Sequence, residues 1–460
     1  MINSCDECLN RQLKIDALTE ENLRLKQKLR YRELKEKEGF FGSSTPSAKI
    51  PVKGNTSAAA GKSKGARLGH KGTGRVAVAA EDADHVVTLE AEELCPNCGG
   101  VVTGKGFVER TVLESQPVRA QQVVYRLAKG HCPRCRKSIQ ASPPGVLPRS
   151  LYGNQLIVTA TAMHYLHGIP MGRICEQLGI GPGSLVEVFH QTAKRFESVV
   201  DRLLQEYRQA SVRHADETGW RINGKNGYAW LFATETISVF QFRTTRSAKV
   251  PQAVFGTEPL PGFLVVDRYA GYNKVPCFLQ YCYAHLLREV EDLEKEFSEV
   301  HEVKRFVSVM ASLLSAAMGL RNQPISDKMY YNRAAQLKAQ IQIAVESPAQ
   351  HLGIRRIQDI FHEQSHRLYH WVSDRRVPAE NNLAERDLRP TVIARKVSFG
   401  SFSDAGAHTR GVLMSVVHSL KKQVPDVTGY LKYVLDQIAH NPTQDPFPLL
   451  FPKSLSLPSP

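Results

Sequence analysis

The chain has no uninterrupted apolar run approaching the roughly 20 residues that a membrane helix requires. Its N-terminus has no apolar core of the kind that opens a secretion signal. Both absences argue against membrane insertion and export, so a soluble cytoplasmic protein is expected. Disulfide density is missing too: nine cysteines are spread over 460 residues, and the usage suits a reducing compartment better than a disulfide framework. Acid is scarce, since 60 Lys and Arg face 45 Asp and Glu, for a formal net charge of +15. An excess of this size points to a polyanion, most commonly the phosphate backbone of DNA or RNA, although a basic protein without such a partner has the same composition. The length leaves room for about three domains.

Four cysteines carry the sharpest local signal. Cys95-Pro-Asn-Cys98 and Cys132-Pro-Arg-Cys135 are two CxxC knuckles, and four soft thiolates at short spacing suit a closed, structural Zn²⁺ site. Such a site folds a module and leaves no position for substrate. The spacer, residues 99–131, is longer than the ~15–20 residues usual for this pattern. It reads as strand-rich over Gly106 to Leu113 and Gln121 to Lys129, so a ribbon can return the second knuckle to the first. Free thiols or a disulfide pair are the alternatives. Cys5 and Cys8 form a third CxxC without a second pair nearby and read as free thiols.

From Leu13 to Lys37 the chain is charged and free of Gly and Pro, with Ile15, Leu18, Asn22, Leu25 and Leu29 at heptad a and d positions. An Asn at a buried a position favours a two-stranded pairing, so a short coiled coil is expected, with a solvated single helix as the alternative. Gly42 to Ala80 contains no acid and carries Lys62, Lys64 and Arg67 among its cations. It reads as a flexible basic tether able to track phosphates, or simply as a solvated linker. After Pro143-Pro144 and Pro148, helices are expected over Asn154 to His167 and Met171 to Leu178. A Gly179-to-Gly183 turn and a long amphipathic helix to about Gln209 follow. This resembles a helix-turn-helix, and a purely structural bundle fits equally well.

Short strands then take over, at Val212 to Ala215, Gly227 to Ala233, Ile237 to Arg243 and Phe263 to Val266. Mostly helical pattern runs from Ala284 to Val372. A further polar helix is expected to open near Pro378 and Ala379 and to stop at Pro390, because proline is excluded from helix interiors. The tail from Asn441 onward holds six prolines and is expected to be disordered at its end.

Two of the strands end in an acid, Asp216 and Asp267. Burying a carboxylate there is costly unless a cation or donors compensate, and two such acids side by side favour a divalent metal. Hard oxygen ligands suit Mg²⁺ or Mn²⁺. An Asp at a strand end is also a common helix cap or turn former. The later helix offers a third acid, Glu380 or Glu385. At 100° per residue the two point about 140° apart, so only one can face a metal, and spacing does not choose. Arg386, Arg389, Arg395 and Lys396 follow at once, a basic run suited to a phosphodiester.

Three blocks resemble the DDE transposases of bacterial insertion sequences, specifically the insertion-sequence-66 family. They are His214-Ala-Asp216-Glu-Thr-Gly219, Val266-Asp267-Arg-Tyr-Ala-Gly-Tyr-Asn273 and Ala379-Glu-Asn-Asn-Leu-Ala-Glu-Arg-Asp-Leu-Arg-Pro390. Cys282-Tyr-Ala-His285-Leu-Leu-Arg288 and Arg395-Lys396 before Phe399 agree with it. The chain departs from the family at Arg268, where a small residue is usual, and at Tyr283, where tryptophan is frequent. By the family's motif the acids are Asp216, Asp267 and Glu385.

The resemblance implies a multidomain α/β protein with an RNase-H-like catalytic core over residues 211–440, interrupted by a helical insertion at about 286–376. Before it would come a coiled-coil helix (1–41), the tether (42–80), a zinc module (81–146) and a helical DNA-binding domain (147–210). A Pro-rich tail (441–460) would follow. It further implies two-metal phosphoryl transfer, with Asp216 bridging two Mg²⁺ and Asp267 and Glu385 each completing one shell. His285 and Arg288 are candidates for phosphate contact. The partners implied are the element's terminal repeats and target DNA, a second copy of the chain at least, and accessory proteins of the same element. Two rivals remain: a non-catalytic zinc-containing DNA-binding regulator, which leaves the acidic blocks unexplained, and an RNase-H-like structure-selective nuclease, which would cut without joining.

Overall fold

The structure, a computed structural model, describes residues 14–25, 79–83, 85–88, 98–101, 118–131 and 133–452. Cys95, Cys132, Cys5, Cys8, Lys62, Lys64, Arg67 and the strand expected at 106–113 lie outside the described residues. The chain divides into two compact units, Val52–Arg119 and the remainder. In the smaller one, the described residues include a single 3₁₀ turn, Ala80–Asp82, and an exposed Cys98. All further description concerns the larger unit.

Residues 14–25 are helical (α1), with Ile15, Leu18 and Leu25 exposed. Of the strand expected at Gln121 to Lys129, residues 121–128 form no strand with any described residue, although the Ala128 carbonyl accepts the Ala141 N–H at 3.0 Å. Pairing starts only at β1 (Lys129–His131), antiparallel to β2 (Ser138–Gln140), and this two-stranded ribbon carries Cys135 in its exposed turn.

Helix α2 (Asn154–Thr161) runs into a π-helical turn, Ala162–Leu166. Helix α3 (Met171–Leu178) ends at Gly179, whose φ of 63° is left-handed and costs glycine little. Helix α4 (Pro182–Gln209) starts with proline at its first turn, where no N–H is needed. Leu185, Val188, Phe189, Thr192, Phe196, Val199, Leu203 and Tyr207 recur at three- and four-residue steps as its buried stripe. The exposed start of α4 contributes Ser184, Val186 and Glu187 and no cation.

Five strands make the central sheet, β3 (Val212–Ile222), β4 (Lys225–Ala233), β5 (Ser238–Arg243), β6 (Phe263–Val266) and β7 (Phe278–Tyr281), in the order β5-β4-β3-β6-β7. The first three pair antiparallel, while β6 and β7 join in parallel. A short helix α5 (Lys249–Phe255) links the two halves. After β7 come α6 (Tyr283–Glu296), α7 (His301–Leu320), α8 (Asp327–Glu346), α9 (Leu352–Glu363) and the single turn α10 (His370–Ser373). Helix α7 is the one described helix apolar and long enough to cross a membrane by composition. Its buried Val303, Val307, Met310, Leu314 and Ala317 follow helical spacing, as in a helix that packs along one face.

The chain then returns to the sheet as α11 (Asn382–Ser398), α12 (Asp404–Lys421), α13 (Val427–His440) and α14 (Phe447–Leu450). One expectation fails here. Pro390 does not end a helix but lies inside α11, held there by the buried Leu388, Thr391, Ala394 and Arg395 around it. The Pro-rich tail is ordered as far as α14, with Phe447, Leu450 and Phe451 buried and Arg202 of α4 stacked 4.2 Å from the Phe447 ring centre. Burying three large apolar side chains outweighs the disordering bias of the prolines.

Candidate active site and metal centre

Strand β3 does not stop at the first acid, as expected, but runs six residues beyond it, because residues 214–222 all pair with β4. Asp216 is therefore mid-strand. Its neighbour β6 pairs with β3 in the parallel register Val212↔Phe263 to His214↔Val265. Continued by two residues, that register sets Asp216 opposite Asp267, which follows the last residue of β6. Asp267 Oδ1 accepts the Tyr269 N–H at 2.9 Å and so turns the chain away from the sheet. Asp216 Oδ1 accepts the Glu217 N–H at 2.9 Å. Loss of water and the charges of Glu217, Asp267 and, more weakly, Glu385 push the Asp216 carboxyl well above the usual carboxylate range.

Glu385 lies in the first turn of α11. It is set there by Asn381, which precedes the helix and joins three segments. The Asn381 side chain donates to the Ala215 carbonyl at 2.9 Å and faces His214 Nδ1 at 2.8 Å, while its N–H meets Cys282 Sγ at 3.1 Å. His214 is buried and pushed down to about 4, so the ring is neutral and donates its Nδ1–H to the amide oxygen. Next to this pin the Tyr283 N–H donates to the Ala379 carbonyl at 2.8 Å. Glu385, 31 % exposed, meets Arg288 at 2.7 Å, with His285 Nδ1 at 3.9 Å. Glu380 is absent from the charges that raise Asp216.

Glu217 is the residue that sequence reasoning underrated. Strand alternation turns it away from Asp216, yet its side chain is 1 % exposed and its carboxyl is pushed up to about 7, first by burial and then by the charge of Asp267. Arg246 Nε at 2.8 Å and the Tyr272 hydroxyl at 2.6 Å hold it. Arg246 also stacks 4.2 Å from the Tyr269 ring centre. The turn that carries Asp267 is thus tied through Tyr269 and Tyr272 to β3. These partners come from distant segments, so no local pattern could have revealed them.

A second donor set adjoins the acids. Cys282, His285 and Glu385 place one ligand atom each within 4.8 Å of one another. The half-buried Cys277 is not in this group. Burial raises the Cys282 thiol to about 12 against its backbone N–H contacts, so the neutral thiol is favoured there. Burial and then the Arg288 charge lower the His285 pKa.

Of the cations expected to meet DNA, Arg386, Arg389 and Lys396 are exposed on α11. Arg395 is not: it is buried, and donates to Thr218 Oγ1 at 3.0 Å and the Gly219 carbonyl at 2.7 Å, fastening α11 to β3. Its expected phosphate contact is thus replaced by a structural one. The two departures from the family pattern fit locally. Arg268 pairs with Glu289 on α6, and the Tyr283 hydroxyl donates to the Leu368 carbonyl at 2.7 Å.

The chain is similar to the Uncharacterized protein y4hP of Sinorhizobium fredii (strain NBRC 101917 / NGR234), 22% identical over 426 residues, which is 79% of this chain and 74% of that protein. A second protein of that strain, the Uncharacterized protein y4qI, is 23% identical over 401 residues, 78% of this chain and 73% of its own. A family model described as Transposase IS66 family matches residues 149–409, a span that takes in the whole central sheet and α11. With the match covering more than half of the 460 residues, the chain belongs to the IS66 family of transposases.

Proposed function

We propose that the protein cleaves the ends of an insertion sequence and joins the resulting 3′-hydroxyls to target DNA by metal-assisted phosphoryl transfer. The observation that carries this reading is the convergence of Asp216, Asp267 and Glu385, from a central strand, its parallel neighbour and a distant helix, with the Asp216 carboxyl raised by burial and then by the other acids. The sheet supports an RNase-H-like core, since three antiparallel strands are followed by two parallel ones.

The donor set fits a hard divalent cation: carboxylate oxygens drawn together at a cost that Mg²⁺ or Mn²⁺ would offset. Asp216, Asp267 and Glu385 would hold it, and the bound metal would supply charge to activate the attacking oxygen and steady the leaving one. Arg288 and His285, already against Glu385, would meet the phosphate, and Arg386, Arg389 and Lys396 would carry the flanking backbone. No side chain is needed as a covalent nucleophile. The thiolates of Cys95, Cys98, Cys132 and Cys135 would take a structural Zn²⁺, and Lys62, Lys64 and Arg67 would add non-specific affinity. Pairing of two copies through the apolar edge of α1 would bring two element ends together, with help from accessory proteins of the same element.

Transposition in bacterial cells of a marker flanked by the native element ends tests the proposal. Wild type should give insertions and Asp267→Asn none. Equal insertion by both would overturn the site, and cutting without joining by purified protein would favour a structure-selective nuclease.

A further inference from the structure

The loop from α11 to α12 is built at some cost for a purpose the acidic site does not use. Phe399, which caps α11, has a φ of 58°, a left-handed conformation that disfavours a bulky side chain. Gly400 follows at φ 137°, where an added Cβ would run into the Arg221 carbonyl. Ser401 is stapled to the β3–β4 hairpin by three hydrogen bonds. Its N–H donates to Arg221 O at 2.8 Å, its carbonyl accepts from the Asn223 N–H at 2.9 Å, and its hydroxyl accepts from Trp220 Nε1 at 3.1 Å. The backbone is held on both sides, yet Phe399 is 70 % exposed and Phe402 is 94 % exposed. Simple closure of the loop would be served by polar residues, and Gly or Asn would remove the strain. Strain and exposed aromatic surface concentrated in one anchored loop mark an interaction site.

The helix leading to this loop indicates the partner. Arg386, Arg389, Ile393, Lys396 and Val397 are exposed. At 100° per residue they fall on one stripe about 100° wide that starts at the edge of Glu385. The stripe is cationic and has no acid of its own, and the chain that follows it carries the two exposed phenyl rings. Exposed cations followed along the chain by exposed rings suit a nucleic acid strand, phosphates on the cations and bases on the rings, rather than a protein partner. A rise of 1.5 Å per residue puts Phe399 about 21 Å along the helix from Glu385, roughly six steps of a strand at 3.4 Å per nucleotide.

We propose that Phe399 and Phe402 form a base-stacking wedge, which receives an unpaired base of the DNA strand roughly six nucleotides from the phosphate held at Asp216, Asp267 and Glu385. This rests on the transposase reading and adds a position at which the bound end is opened.

The test uses full-length protein and fluorescein-labelled duplexes of the native element end, either fully paired or with unpaired bases six nucleotides from the cleavage point, read by anisotropy. Wild type should bind the unpaired form about tenfold more tightly. Phe402→Ala, and Phe399→Ala with Phe402→Ala, should lose that preference while keeping their affinity for the paired duplex, and Phe402→Trp should retain it. A preference unchanged in both alanine variants, or absent from wild type that binds the paired duplex, would overturn the wedge and leave the transposase reading standing. Failure of wild type to bind either duplex would overturn both.

Discussion

Asn381 joins more of the site than any of its acids. It holds the Ala215 carbonyl, His214 Nδ1 and Cys282 Sγ at once, and so sets the start of α11 against β3. Replacing it with alanine leaves buried donors and acceptors unpaired, at about 1–3 kcal/mol for each group. Asn381→Ala should therefore lower the urea midpoint and raise the Mg²⁺ concentration needed for strand cleavage, because Glu385 loses its support. A variant with wild-type Mg²⁺ dependence would show that Glu385 is placed by the helix alone. The acids themselves were legible unequally. Asp216 and Asp267 stand out in the sequence because each belongs to or follows an apolar strand, where burying a carboxylate is costly. Glu380 and Glu385 were equivalent on spacing, and the family resemblance pointed to Glu385, whose charge is also the one of the two that raises the Asp216 carboxyl.

The central sheet has an open edge at β5, and α12 closes it at the level of whole elements. The Ser238 and Phe240 N–H groups donate to Ser419 Oγ at 3.0 Å and Ser415 Oγ at 2.8 Å. Serines four apart on the helix thus match residues two apart on the strand. Gly411, one turn earlier, lets the helix approach, since a Cβ there would lie 3.0 Å from the Phe240 carbonyl. An edge covered in this way cannot recruit another strand. Ser415→Ala should cost about 1–3 kcal/mol by stranding the Phe240 N–H, measured by urea unfolding. A change within a few tenths of that unit would mean that water takes over the bond. Helix α11 shows the limit of local rules at this scale. Pro390 removes one helical donor, yet packing on both sides of it keeps the helix whole.

Across the larger unit, the last described helix returns to a helix more than 230 residues earlier in the chain. Helix α14 docks on α4, with Arg202 bonded to Asp445 at 2.5 Å and stacked on Phe447. Removing residues 441–460 should cost on the order of 5 kcal/mol, from loss of the buried Phe447, Leu450 and Phe451. An unchanged thermal midpoint would show that this docking contributes nothing. The sequence by itself determined the local elements and the family. The strand Phe263–Val266 and the helix Met171–Leu178 appear where periodicity and turn residues put them, because those signals act over a few neighbouring residues. The tertiary structure alone decided what crosses long stretches of chain: Arg395 withdrawn into the core, Glu217 drawn into the acidic network, and a proline-rich end packed on a helix. Each depends on burial and hydrogen bonds between segments far apart in sequence, and local pattern holds no record of which partner will be there.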